Sequence, residues 1–219
     1  MREQILKAIM AYLGDQDYPV LNVVVSNIAT HLLGNQNPSI RHTAISALRQ
    51  QSVLSVGVLR AIVAHLANGD PAIRSEATGI LEQQPNLPES ALRAIVIHLQ
   101  DEDAFVRNAA VSALRRQSVL PEDILRDIVA HLDNGNPAIR SEAAGILGQR
   151  PSLPESTVRA IVAHLANGNP AIRSEAAGIL GQRPGLPDSA LRAITTHLED
   201  QDASVRSAAI DALGNLLAF

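Results

Sequence analysis

Six of the seven histidines fall at a nearly constant interval: His31, His65, His98, His131, His164 and His197. Imidazole is a common metal ligand, so such a series raises the question of a metal centre. Ligands of one zinc ion, however, lie about 2.0–2.1 Å from it. Equivalent positions on neighbouring packed helices are roughly 8–10 Å apart, so no single ion joins this row. The helical wheel places the row beside the apolar stripe, and the expectation is that it packs between repeats. Neither a metal nor another cofactor is expected.

Two arginine series keep the same interval. Arg41, Arg74, Arg107, Arg140, Arg173 and Arg206 stand in the first turn of successive helical patterns. A cation there opposes the helix dipole and needs acceptors. The candidates are Asn37, Asp70, Asp103, Asn136, Asn169 and Asp202 in the turn just before, which would give this row a structural role. The second series is Arg60, Arg93, Arg126, Arg159 and Arg192. Glu89, Glu122, Glu155 and Asp188 precede its last four members by one helical turn, in the favourable acid-before-base order. This row lies to the side of the apolar stripe, so it is either a solvated, self-paired face or a contact surface for an acidic partner.

The elements carrying these rows are duplicated outright. "NGNPAIRSEAAGILGQRP" occurs at Asn134–Pro151 and again, unchanged, at Asn167–Pro184. In "PESALRAIVIHLQ" the residues Leu92, Ile95, Val96 and Leu99 form one helical stripe, and Ile73, Ala77, Ile80 and Leu81 form another in "PAIRSEATGILEQQ". Asp70-Pro71, Asn136-Pro137 and Asn169-Pro170 each put a side-chain cap before a proline at the first helical position. "PNLP", "PSLP" and "PGLP" end one helix and begin the next. The pattern predicts about thirteen helices and no strands. It makes residues 1–219 a single array, with a divergent helix pair over 1–34, repeats over 35–202 and a last helix over 203–219. A short helix pair has too little core to stand alone, and stacking supplies the rest.

Composition narrows the chemistry. Apolar residues make up 46% of the chain, but there are two Phe, two Tyr, no Trp and no Cys, which removes disulfides and thiolate catalysis. The net charge of −4 gives no global attraction to nucleic acid. No segment reads as a membrane span or signal peptide, so an intracellular, cytoplasmic location is expected.

"DEDAFVRNAAVSALRRQ" and "DQDASVRSAAIDALGNL" resemble the short HEAT-like repeat of the phycobilin-lyase type, and the likeness covers nearly the whole chain. The resemblance implies a right-handed superhelical α-solenoid of antiparallel helix pairs that binds other macromolecules. It places the "LRAIVAHL" helices on the concave face and makes the first arginine series a hydrogen-bonded ladder between neighbouring repeats; on that face Arg60, Arg93, Ile97, Arg126, Arg159 and Arg192 are the expected partner-binding residues. Related repeats occur in chromophore lyases, DNA glycosylases and a di-iron hydroxylase. The hydroxylase carries adjacent His-Glu ligand pairs, and no His here is followed by Glu. A glycosylase pocket needs an aromatic wall, and Trp is absent. Nothing singular in the repeats suggests a chromophore pocket.

The leading expectation is therefore a non-enzymatic scaffold for a protein or peptide partner, whether natural, engineered or excised from a longer array. The alternative is a nucleic-acid backbone binder that uses the second arginine row. The terminal "LLAF" would ordinarily be covered by another helix, which points to truncation or to self-association through the C-terminal helix.

Overall fold

A computed structural model describes residues 25, 27, 29, 31, 33–49, 51 and 53–218. The helix pair expected over 1–34 lies almost wholly outside the described residues. The chain divides into two compact units, Met1–Val119 and Leu120–Phe219. The first contains α1 (Pro38–Arg49), α2 (Val56–Ala64), α3 (Pro71–Leu81), α4 (Glu89–Ile97) and α5 (Ala104–Arg116). The second contains α6 (Glu122–Ala130), α7 (Pro137–Gly148), α8 (Glu155–His164), α9 (Pro170–Leu180), α10 (Asp188–Thr196) and α11 (Ala203–Leu217). No strand occurs among the described residues. The protein is an α-solenoid of repeated helix pairs.

Local chemistry sets the boundaries. The Asp70 side chain accepts from Ala72 N at 2.9 Å, and Asp103 accepts from Phe105 N at 2.8 Å. Asn136, Asn169 and Asp202 cap α7, α9 and α11 in the same way. Pro71, Pro137 and Pro170 occupy the first turns of α3, α7 and α9, where a missing N–H is no loss. Pro88, Pro121, Pro154 and Pro187 instead sit just before α4, α6, α8 and α10, as extended residues without a side-chain cap. After α2, α4, α6 and α10 the chain tightens into a short 3-10 turn that begins at the recurrent histidine.

The core repeats with the sequence. Ile62, Ile95, Ile128, Ile161 and Ile194 are fully buried, as are Ala44, Ala77, Ala110, Ala143, Ala176 and Ala209. Burying each isoleucine contributes about 1.5–3 kcal/mol. The alanines act through size, because they let the helices that carry them approach closely. Within the first unit α3 packs more extensively on α5 than α2 does on α4. Within the second, α9 packs more extensively on α7 and α11 than α8 does on α6 and α10. Within each unit the alanine-rich helices thus form a row that is tight at α3–α5, α7–α9 and α9–α11, though not at α1–α3, beside a looser row of "LRAIVAHL" helices.

Candidate interaction surface

The arginines at helix starts are anchored first to their own turns. Arg74 Nη1 donates to Asn68 O and Gly69 O at 3.0 and 3.2 Å, and Arg41, Arg107, Arg140, Arg173 and Arg206 repeat this contact pair. Arg41, Arg74, Arg140 and Arg173 also reach forward to the next repeat. Arg74 grips Asp101 through Nε and Nη2, both at 2.7 Å, and Arg173 holds Asp200 at 2.8 and 2.7 Å. Arg41 Nε donates to Glu76 at 2.9 Å, and Arg140 Nε lies 3.4 Å from Glu175.

The acceptors differ from those the sequence suggested. Asp70 and Asp103 cap their own helices, and the forward partner is either the first acid of the next turn or a glutamate on the next helix. The choice follows the local residues. Where the next turn opens with Asp101 or Asp200, the arginine takes it; where it opens with Asn68 or Asn167, the carboxylate comes from Glu76 or Glu175.

These pairs set the electrostatics. The hydrogen bonds from Arg74, aided by Asp103 N–H and His98, lower the Asp101 carboxyl from 3.8 to about 2. Arg173 does the same for Asp200, which also falls to about 2. Glu175 goes the other way, because burial outweighs its long contact with Arg140. A folded-state pKa below the unfolded one gives stability that is present above the unfolded value and is lost as pH falls through the folded value. Acid titration followed by circular dichroism should therefore show stability falling between about pH 4 and pH 2. Asp101→Asn should flatten the contribution of its own pair, about 1 kcal/mol after solvent screening. An unchanged profile in that variant would contradict the assignment.

The other arginine row, Arg60, Arg93, Arg126, Arg159 and Arg192, is exposed throughout. Arg93 meets Glu89 at 2.6 Å, and Arg159 lies 3.8 Å from Glu155. Ile97 is 69% exposed on the same helix as Arg93. On the tight row Phe105 is 77% exposed at the start of α5. It lines a cavity of about 380 Å³ between α3 and α5, together with Pro71, Ala72, Ser75, Asp70 and Asp103.

The histidine contacts run to main-chain carbonyls and to carboxylates rather than from one imidazole to another. His65 Nε2 lies 2.8 Å from Ala29 O, and His197 Nε2 lies 2.6 Å from Leu165 O. His98 meets Asp101 at 3.1 Å, His164 meets Asp133 at 3.2 Å, His131 is buried and His31 is exposed. Among the described residues no group of His, Asp and Glu is placed to hold a metal ion. No helix among them is long and apolar enough to cross a membrane.

One row escaped the sequence reading. Gln84 and Gln117 in the first unit, and Arg150 and Arg183 in the second, are buried where the tight-row helices end, and they form a seam within each unit. Gln117 Nε2 donates to Gln84 O at 2.9 Å, and Arg183 Nη1 donates to Arg150 O at 3.1 Å. The signal was their common interval, hidden because two residue types share the position.

The sequence pattern of the HEAT repeats matches residues 26–115 and 125–214. Many solved structures are similar in fold, among them the following three. One is a chain from a structure of microtubule plus-end tracking by XMAP215, CLIP-170 and EB1; it is 16% identical, with 86% of this chain and 89% of that chain covered and a TM-score of 0.60. A designed armadillo repeat protein is 13% identical over 88% of this chain and 99% of its own, with a TM-score of 0.51. A further engineered protein is 16% identical over 89% of this chain and 99% of its own, also at 0.51. No curated protein matches in sequence.

Proposed function

Because the chain belongs to the HEAT-repeat family, we propose that it is a non-enzymatic interaction module that holds a protein or peptide partner along one row of its helices. The carrying observation is Phe105, a large aromatic left 77% exposed beside a cavity of about 380 Å³. Exposed aromatics next to pockets are where binding energy concentrates in protein interfaces. The closer packing of the alanine-rich helices supports that row, rather than the "LRAIVAHL" row, as the inner surface of each unit. Asp70 and Asp103 line the cavity, so its partner carries a cationic side chain next to an apolar one, with the cation over the Phe105 ring.

A second reading uses the exposed row of Arg60, Arg93, Ile97, Arg126, Arg159 and Arg192, which fits an acidic partner. The ion pairs of Arg93 and Arg159 are exposed, so an incoming carboxylate can replace Glu89 or Glu155 at little cost. Nucleic acid is disfavoured by the −4 net charge and by the carboxylates that alternate with these arginines.

Selection of peptides from a displayed random library separates the readings. The expected binders are basic and apolar, and Phe105→Ala weakens them at least tenfold. Acidic binders lost on Arg93→Glu would transfer the site to the other row. Failure to recover any peptide, together with salt-sensitive binding of single-stranded DNA, would overturn the proposal.

A further inference from the structure

The buried seam changes its chemistry along the chain. In the first unit each glutamine oxygen accepts from a leucine N–H thirty positions earlier: Leu54 N to Gln84 at 2.9 Å and Leu87 N to Gln117 at 3.0 Å. In the second unit the same positions hold Arg150 and Arg183. A guanidinium has five donors and no acceptor. Leu153, thirty positions before Arg183, is therefore left with a main-chain N–H that makes no hydrogen bond among the described residues.

Arg183 is under-compensated as well. It is 4% exposed. Its Nη1 donates to Arg150 O and its Nη2 to Leu147 O, both at the end of α7, while Nε has no partner. No carboxylate pairs with it among the described residues, and burial pulls its pKa down to about 10, so it remains cationic at neutral pH. Arg183 and Leu153 line one cavity of about 340 Å³, walled by Pro151, Val158, Pro184, Leu186 and Pro187. A buried cation and an amide N–H without a protein partner thus line one cavity, whose other walls are apolar apart from Ser152 and the exposed Glu155.

We propose that this cavity binds a monocarboxylate with an apolar substituent. Its oxygens accept from Leu153 N–H and the Arg183 guanidinium, and its aliphatic part lies against Val158 and Leu186. A single uncompensated positive charge suits a monoanion. A phosphate dianion is disfavoured further by Glu155, which lines the same cavity. The cavity shares no residue with the one beside Phe105 and meets the exposed arginine row only at Glu155, and its probes are small acids rather than peptides or DNA, so the two proposals are tested separately.

The test is an NMR titration of the full chain, observing the Leu153 amide and the Arg183 Nε–H. The probes are N-acetyl-leucine, isovalerate and the neutral N-acetyl-leucine amide. Saturable shifts are expected with a carboxylate and at least tenfold weaker ones with the amide. Binding of isovalerate alongside N-acetyl-leucine means that a free acid suffices; binding of N-acetyl-leucine alone assigns the site to a peptide C-terminus. Arg183→Gln installs the residue already used at positions 84 and 117, which restores an acceptor for Leu153, and it should weaken carboxylate binding at least tenfold. Equal shifts with acid and amide, unchanged affinity in Arg183→Gln, or no saturable shift with any probe would overturn the proposal. The acid–amide comparison needs only the unaltered chain, so the proposal stays testable even if the variant folds poorly.

Discussion

Gly181→Ala should destabilise the second unit by about 2–3 kcal/mol, although alanine is the better helix former. Gly181 ends α9 where that helix meets α11, and a Cβ there would lie 2.4 Å from Ala212 Cα and 2.5 Å from Ala212 Cβ. Backbone cannot swing aside, so the two helices must separate. They would do so at the tightest helix packing among the described residues, where Ala176, Ala177, Ala209 and Ala212 are all buried. Gly148→Ala provides the contrast. Its Cβ would meet Oε1 of Gln182 at 2.6 Å, the far end of an exposed side chain that can rotate away. Its cost should stay within about 0.5 kcal/mol. Thermal melts distinguish them, with Tm falling by about 4–12 °C for Gly181→Ala and hardly at all for Gly148→Ala. Equal shifts would mean that the close approach of α9 and α11 is wrong.

Arg74→Ala should cost the first unit about 2–3 kcal/mol. Its side chain is 16% exposed and that of Asp101 only 7%. Removing the guanidinium strands a carboxylate at the turn and frees the carbonyls of Asn68 and Gly69. Loss of one partner from a fully buried pair costs about 3–5 kcal/mol, and the residual access to water here lowers that figure. Arg159→Ala is the control. Its pair with Glu155 is 3.8 Å long and more than 70% exposed on both sides, so its removal should cost under about 0.5 kcal/mol. Urea midpoints of the two variants measure the difference, and equal losses would show that the structural row has been misassigned.

Helix class, helix boundaries and repeat interval were legible in the sequence because each rests on local chemistry. Asp-Pro and Asn-Pro pairs mark helix starts by capping, and the 33-residue recurrence of Ile95, Ile128 and Ile161 marks the core by period alone. The arginine acceptors were not legible in this way. A carboxylate two residues past an arginine, such as Glu76 beyond Arg74, looks like a neighbour on one helix, yet its contact is Arg41 in the preceding repeat. The glutamine–arginine seam was hidden for a related reason: its bonds run to main-chain groups about thirty positions away, and main chain has no signature in a sequence. Which row packs tightly depends on alanine at buried positions such as Ala110 and Ala176, and alanine is equally at home on exposed helix faces.

In the proposed division of labour, one set of side chains holds the repeats together and another is left for a partner. This division is tested most directly by measuring the urea midpoint and the affinity for a selected peptide in the same two variants, Arg74→Ala and Phe105→Ala. Arg74→Ala should lower the midpoint while its folded fraction keeps full affinity. Phe105→Ala should leave the midpoint in place and weaken peptide binding at least tenfold. Loss of affinity in proportion to loss of stability in both variants would contradict it.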